Sequence, residues 1–245
     1  MTLLILVNLS SFAQNEPIEE NTTWNFVAAP YIAIPFIKGD VVAKGIPTEV
    51  VANPSDIFSS LNWGTMLYFE TANPKWAFTF NGVYMSFSEK GETLLGREVK
   101  VDMDQLVITA TGMYRLLPWA EIGIGGRLNS LGTIIRVPVG EILPRIDISQ
   151  TQTWFDPLIV ARFMTRSNDD KWRLGLLTDI GGFGVGSDLA WQIFPFAGYQ
   201  FSKLFEINVA YRWMGTNYET GFGTTDYFVY DVVNSGPEIG FLFHF

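Results

Sequence analysis

Ten charged residues share a pattern: Glu70, Glu121, Arg127, Asp156, Arg162, Arg173, Asp179, Glu206, Arg212 and Glu238 each sit at an inward position of an alternating segment. Carboxylates and guanidinium groups in that mix can do three kinds of chemistry. They can pair as buried ion bridges, they can line a path for ions, or two carboxylates can act as general acid and base. Acid–base work needs a pair singled out by spacing, and none is singled out here. His244 is the only histidine and there is no cysteine, so thiolate nucleophiles and disulfides are absent. No metal-ligand cluster is visible, and acidic residues scattered in loops are a weak calcium signal. Gly181, Gly182, Gly184 and Gly186 imitate a phosphate loop. A phosphate loop must open a helix, yet no lysine follows and the next segment alternates, so this is a tight hairpin loop.

The segments that must position these residues are strands. Alternate side chains of a strand point to opposite faces. In the final stretch Pro237, Ile239, Phe241, Phe243 and Phe245 share one face, while Asn234, Gly236, Glu238, Gly240 and His244 share the other. Leu242 is the one large apolar residue on that second face. Phe205, Ile207, Val209, Tyr211 and Trp213 repeat the apolar stripe against Glu206, Asn208, Ala210 and Arg212. Similar alternation predicts strands over 24–36, 63–71, 76–87, 99–115, 119–137, 146–164, 172–182, 189–201, 205–213 and 227–245, about ten in all with eight to twelve as the bracket. Within 99–115 the alternation changes phase, which predicts a bulge near Asp104. The mostly polar stretch 38–62 reads as a long loop with two β-prone pieces, 41–43 and 49–51, that can add a hairpin. It also holds N-P-S-D-I-F-S-S-L, a short helix capped by Asn53 or Ser55 with Pro54 in its first turn. Ile57, Phe58 and Leu61 give that helix an apolar side, fit to plug a mouth or lie at an interface.

Composition says what the strands face. Charged residues are 17% of the chain against about 25% in an ordinary soluble domain, and aromatics reach 15%. No apolar run reaches the ~18 residues of a spanning helix, so the apolar content is carried by alternation. That is the mark of an all-β fold, a transmembrane antiparallel up-and-down β-barrel. Short turns near Asn73, Pro118, Asn168 and Lys203 alternate with mostly longer loops, as short periplasmic turns and longer outer loops would. An even strand count puts both termini on the periplasmic side. Trp24, Trp76, Trp119, Trp172 and Phe205 then begin upward strands at one level, an aromatic girdle at the interface. The net charge of −9 and the lack of a basic stripe give no support to nucleic-acid binding. Residues 1–13 read as a signal peptide, with an apolar core from Leu3 to Leu9 and a cleavage pattern at Ser11-Phe12-Ala13. No Lys or Arg precedes that core. Residues 14–23 then form a disordered mature N-terminus and 24–245 the barrel.

Three segments carry a closer likeness: W-F-D-P-L-I-V-A-R-F from Trp154, D-I-G-G-F-G-V-G-S-D-L-A-W-Q from Asp179, and the terminal S-G-P-E-I-G-F-L-F-H-F. With S-D-I-F-S-S-L-N-W-G and Glu70, they make the chain resemble a widespread group of functionally uncharacterised Gram-negative outer-membrane proteins. The resemblance implies a barrel and an outer-membrane location, not a reaction. In outer-membrane barrels the terminal aromatic stripe, here Phe241, Phe243 and Phe245, is read by the assembly machinery. The barrel hydrolases that use histidine carry it near the extracellular side, whereas His244 falls at the periplasmic rim.

The leading expectation is a structural or interaction barrel with a largely plugged polar lumen. Its partners would be outer-membrane lipids, lipopolysaccharide and the barrel-assembly machinery, with no cofactor. An alternative is a narrow channel or transporter for small solutes or hydrophobic compounds. A further one is a histidine-independent enzyme acting on lipid or lipopolysaccharide.

Overall fold

The last strand holds the wall together, because it is the one that meets the start of the chain. The computed structural model describes residues 23–43, 46–92, 98–137 and 146–245. The predicted signal peptide, and the N-terminal stretch up to residue 22, lie outside the described residues. The elements in chain order are β1 (Asn25–Ala33), β2 (Phe36–Ala43), β3 (Ile46–Ala52), α1 (Pro54–Ser60), β4 (Leu61–Ala72), β5 (Trp76–Glu92) and β6 (Glu98–Leu117). They continue with β7 (Ala120–Val137), β8 (Ile146–Arg166), β9 (Trp172–Gly182), β10 (Leu189–Gln200), β11 (Phe205–Thr220) and β12 (Phe228–His244).

From β4 to β12 every strand pairs antiparallel with the next, and β1 pairs with both β4 and β12 to close the barrel. Closure gives the backbone donors and acceptors partners along most of the wall, as a barrel in hydrocarbon requires; the exception lies between β1–β2 and β4, where pairing ends at Pro30 opposite Leu67. β1 and β2 lie on β12 in one continuous register, from Val27 opposite His244 to Ala43 opposite Phe228. They therefore act as one wall strand broken at Ile34 and Pro35, and the barrel has ten strands. The face carrying Phe26, Ile32, Ile34 and Phe36 is exposed, as the alternation predicts. Trp24, Trp76, Trp119 and Trp172 are also exposed, next to the short turns or the chain start.

Two expectations are corrected. The stretch 38–62 is not mainly a loop: its two β-prone pieces do add the hairpin open to them, as β2 and β3, and it runs longer than those pieces, from Ile37 opposite Ala52 to Ala43 opposite Ile46. No bulge occurs near Asp104 either. β6 keeps one register against β5 from Tyr114 to Glu98, and the irregularity lies between Arg115 and Leu117. Both misreadings have one cause. A strand crosses the hydrocarbon in about 9–11 residues. β6 has 20 residues and β8 has 21, so they rise well past that height. There the outer face turns polar: Ser88 Oγ donates to Asp102 at 2.7 Å, Arg136 pairs with the same carboxylate, and Tyr84 donates to Asp104 at 3.1 Å. Above the apolar band, alternation no longer reports inside and outside.

The helix α1 follows its sequence signals. The Asn53 side chain accepts from the Ser55 and Asp56 amides while Asp56 Oδ2 accepts from the Asn53 amide, a capping box with Pro54 at the first position. Ile57 is buried and Phe58 exposed.

Candidate functional site

Polar side chains on the inward faces fill the lumen in layers. Next to the short turns Glu121 on β7 is the centre of a chain of charges. It accepts from Arg115 Nη2 at 2.7 Å and from Arg162 Nε at 2.7 Å. Arg162 on β8 reaches across to Glu70 on β4, its Nη1 2.7 Å from Oε2 and its Nη2 3.0 Å from Oε1. Tyr68 donates its hydroxyl to the same Glu70 carboxylate. Four strands are tied by this one network. Arg162 and Glu121 are 3% and 4% exposed, and charges removed from water this far must be paired.

At a similar level Arg173 on β9 donates to Glu206 Oε1 from Nε at 3.0 Å and from Nη2 at 2.6 Å. Glu206 is fully buried. It fits because Gly198 faces it: a Cβ there would stand 2.0 Å from Glu206 Oε1. His244 Nε2 lies 3.2 Å from Glu206 Oε2, although neither atom forms a well-directed hydrogen bond.

Mid-lumen, Arg127 Nη2 straddles the Asp179 carboxylate at 3.0 and 2.8 Å, and its Nε donates to Thr109 Oγ1 at 3.3 Å. Arg212 donates to both Glu238 oxygens, at 2.5 and 3.0 Å, and to Gln192 Oε1 at 2.6 Å. The Arg212 guanidinium lies 4.5 Å from the centre of the Phe194 ring, and that of Arg173 lies 5.1 Å from Phe196. Tyr31 donates to Asn81 Oδ1 at 3.1 Å.

Asp156 stands apart from the other nine charges: among the described residues it has no cationic partner. Its Oδ2 accepts from Asn129 Nδ2 at 3.0 Å and its Oδ1 from the Ser187 amide at 2.7 Å. That second bond anchors the glycine-rich loop, where Gly182, Phe183 and Gly184 all have left-handed φ values of 86°, 51° and 73°. The segment is a hairpin turn rather than a phosphate cradle.

Toward the longer loops the filling becomes aromatic. Trp154 stacks on Tyr218 with centroids 4.3 Å apart and planes within 7°, and Tyr230 and Phe228 pack around them. Trp154, Tyr218 and Phe228 are buried. Among the ionic layers lies a cavity of about 100 Å³, lined by Arg162, Arg173 and Asp179, and adjoining it one of about 80 Å³; both are bordered by Tyr31, Asn81, Arg212 and Glu238. Among the described residues no cluster of His, Cys, Asp and Glu is arranged to hold a metal ion.

Several lumen residues escape a reading by alternation of polarity. Phe194, Phe196, Trp154, Tyr218 and Phe228 are aromatic yet face inward, as Leu242 does by its parity. Their signal is parity with a polar neighbour: Phe194 and Phe196 follow Gln192 by two and four residues on β10. Arg115 is missed because it sits at the end of its strand.

The fold and site together define a ten-stranded meander barrel with a packed, charge-paired lumen. No protein-family model matches the chain, and no curated protein matches it. Solved structures with a similar trace include Ail, the attachment invasion locus protein of Yersinia pestis, in complex with sucrose octasulfate. It is 11% identical, with 91% of this chain and 98% of that one covered, and a TM-score of 0.38. Neisserial surface protein A is 8% identical, covering 89% and 96%, with a TM-score of 0.36. A FadL homologue of Pseudomonas aeruginosa is 10% identical, covering 92% and 90%, with a TM-score of 0.33. Likeness at this level says nothing of what the chain binds.

Proposed function

We propose that the chain is an outer-membrane β-barrel protein with a structural or interaction role, closed along its axis and displaying its longer loops outward. The observation that carries this reading is the filling of the lumen at both ends, by the Glu70–Arg162–Glu121–Arg115 network below and the Trp154–Tyr218 stack above. A ten-stranded wall encloses little more than side chains can fill, so a wide aqueous path has no room. The exposed apolar stripe from Phe26 to Phe36 and the tryptophans beside the short turns support a lipid-facing exterior. Its partners in this reading are outer-membrane lipid, lipopolysaccharide and the barrel-assembly machinery. The last of these would read Phe241, Phe243 and Phe245, all exposed on the terminal strand. Export follows from a cleaved signal peptide at 1–13. The lumen charges brace the wall and carry no catalysis.

The test is planar-bilayer recording on the refolded protein. The expected record is flat, without steady ion current. A steady, reproducible conductance would overturn the plugged-barrel reading in favour of a narrow channel.

A further inference from the structure

The wall is not uniformly paired. β1 pairs with β4 only from Asn25 opposite Ala72 to Pro30 opposite Leu67. Above Pro30 the β1–β2 strand keeps its register on β12, and β3 takes the free edge of β2 from Ile37 upward. Neither β2 nor β3 pairs with β4. The bridge Pro30–Leu67 is the last, and because proline has no N–H it is made by its flanking bonds, including Tyr31 N–H to Met66 O; residues 32–36 on one side and 61–65 on the other are left facing each other across a gap without ladder bonds. The Ile34 amide donates to Pro237 O on β12 at 2.9 Å, so the backbone N–H and C=O of the preceding Ala33 point the other way, into the gap. Pro35 points the same way and has no N–H to leave unpaired. Outside, the gap is flanked by exposed Ile32, Ile34 and Trp63.

Directly behind it lies the cavity of about 80 Å³, and both edges of the gap supply its wall: Ala33 and Pro35 from one, Met66 from the other. Met85 and Met214 extend the apolar lining inward, while Arg212 and Glu238 form its floor. Methionine walls adapt to slender apolar groups. The floor is polar but already neutral, since Arg212 is consumed by Glu238 and Gln192. A carboxylate head would meet Glu238 with no free cation, whereas a hydroxyl or carbonyl needs none.

We propose that the gap between the β1–β2 strand and β4 is a side entrance from the membrane to this cavity. Its occupant is an uncharged single-chain amphiphile, such as a long-chain alcohol, whose head and first carbons enter while the chain trails into lipid. The backbone N–H and C=O of Ala33, which have no ladder partner on β4, serve the passing head, at a depth where bare backbone is otherwise costly. This goes beyond the structural reading of the barrel, and it relies on the axial seals only to make the side route the accessible one.

The absence of native cysteine makes the test direct. Val83→Cys places a thiol on the cavity wall, with Lys203→Cys in an exposed turn as the reference for intrinsic reactivity. In phosphatidylcholine vesicles, lipid-soluble N-cyclohexylmaleimide is compared with an anionic, membrane-impermeant methanethiosulfonate. Relative to the reference, the lipophilic reagent should label Val83→Cys roughly tenfold faster than the anionic one, because thiol reactivity follows access. Adding 1-decanol, or adding Ala33→Trp to fill the gap, should slow that labelling by a similar factor. Equal slowness to both reagents would mean the gap is shut and would overturn the proposal. Speed with both, or indifference to Ala33→Trp and to 1-decanol, would mean axial entry and overturn it equally. Met85→Cys replaces Val83→Cys, and Gly64→Leu replaces Ala33→Trp, if either variant fails to refold. Conductance recorded on the same vesicles tests the axial seal separately: current with intact lipophilic selectivity would remove the plugged reading and leave the side entrance standing.

Discussion

At the scale of single residues, the lumen charges are legible in the sequence as a set but not as pairs. Parity alone turns Glu70, Glu121, Arg162 and Arg212 inward. It does not say that Arg162 bridges Glu70 and Glu121, because those partners come from β4 and β7 on either side of the lumen network. Replacing Arg162 by Met would leave Glu70 buried without its cation and Glu121 held by Arg115 alone. The expected cost is about 3–5 kcal/mol, the range for breaking a buried pair. Urea unfolding of the refolded protein in detergent checks it, and a loss under ~1 kcal/mol would mean water reaches the network. Gly198→Ala tests a tighter point. The new methyl would stand where Glu206 Oε1 lies, so the carboxylate must swing from Arg173. A loss of about 1–3 kcal/mol is expected, as for other overpacked sites. Phe194 was illegible for a different reason. An apolar residue on an inward face looks like a phase error until Arg212 is seen against its ring.

Elements were legible wherever they lie within the apolar band and obscure above it. β9, β10 and β11 follow their alternation closely, because each side chain there meets either lipid or lumen. The β2–β3 hairpin was legible only as two short pieces, because its outward residues Lys38 and Asp40 are polar, as befits a strand above the hydrocarbon. The Asn53–Pro54 cap, by contrast, is local chemistry and was readable directly. Its removal by Asn53→Ala should cost roughly 1 kcal/mol, enough to unwind a seven-residue helix that has little else to hold it. Faster amide exchange over 54–60 would report it. At the other end of the barrel, the turn between β8 and β9 depends on Asp169. The Ser167 hydroxyl, and after it the Lys171 amide, hold that carboxyl below its ordinary value. A group lowered in this way stabilises the folded turn above the ordinary carboxylate pKa and loses that contribution as pH falls through the lowered one. In Ser167→Ala the titration midpoint of Asp169, followed by carbon NMR, should move up toward the ordinary value.

For the whole molecule, the sequence supplies closure through its ends. The terminal strand pairs with β11 along its whole length and with β1 and β2 on its other edge, so the last residues complete the wall. What the sequence does not reveal is that the lumen is filled at two levels, by unlike materials. On the proposed reading the two layers act as seals in series, and this fixes the outcome of opening one. Trp154→Ala removes the ring stacked on Tyr218, at an expected cost of about 3–5 kcal/mol for a buried aromatic. It opens the outer mouth only. The ionic layer below still spans β4, β6, β7 and β8, with Arg162 and Glu121 buried in it. Bilayer recordings of Trp154→Ala should therefore stay as flat as those of the parent protein. Adding Glu121→Ala, which strips Arg115 of its carboxylate and leaves Arg162 on Glu70 alone, should open the second layer and bring in current, anion-selective because the removed charge is negative and Arg115 is left unpaired. Current in Trp154→Ala alone would show that ions pass the charge network without its being dismantled. The seal would then be the aromatic cap, and the charged layer a selectivity filter beneath it.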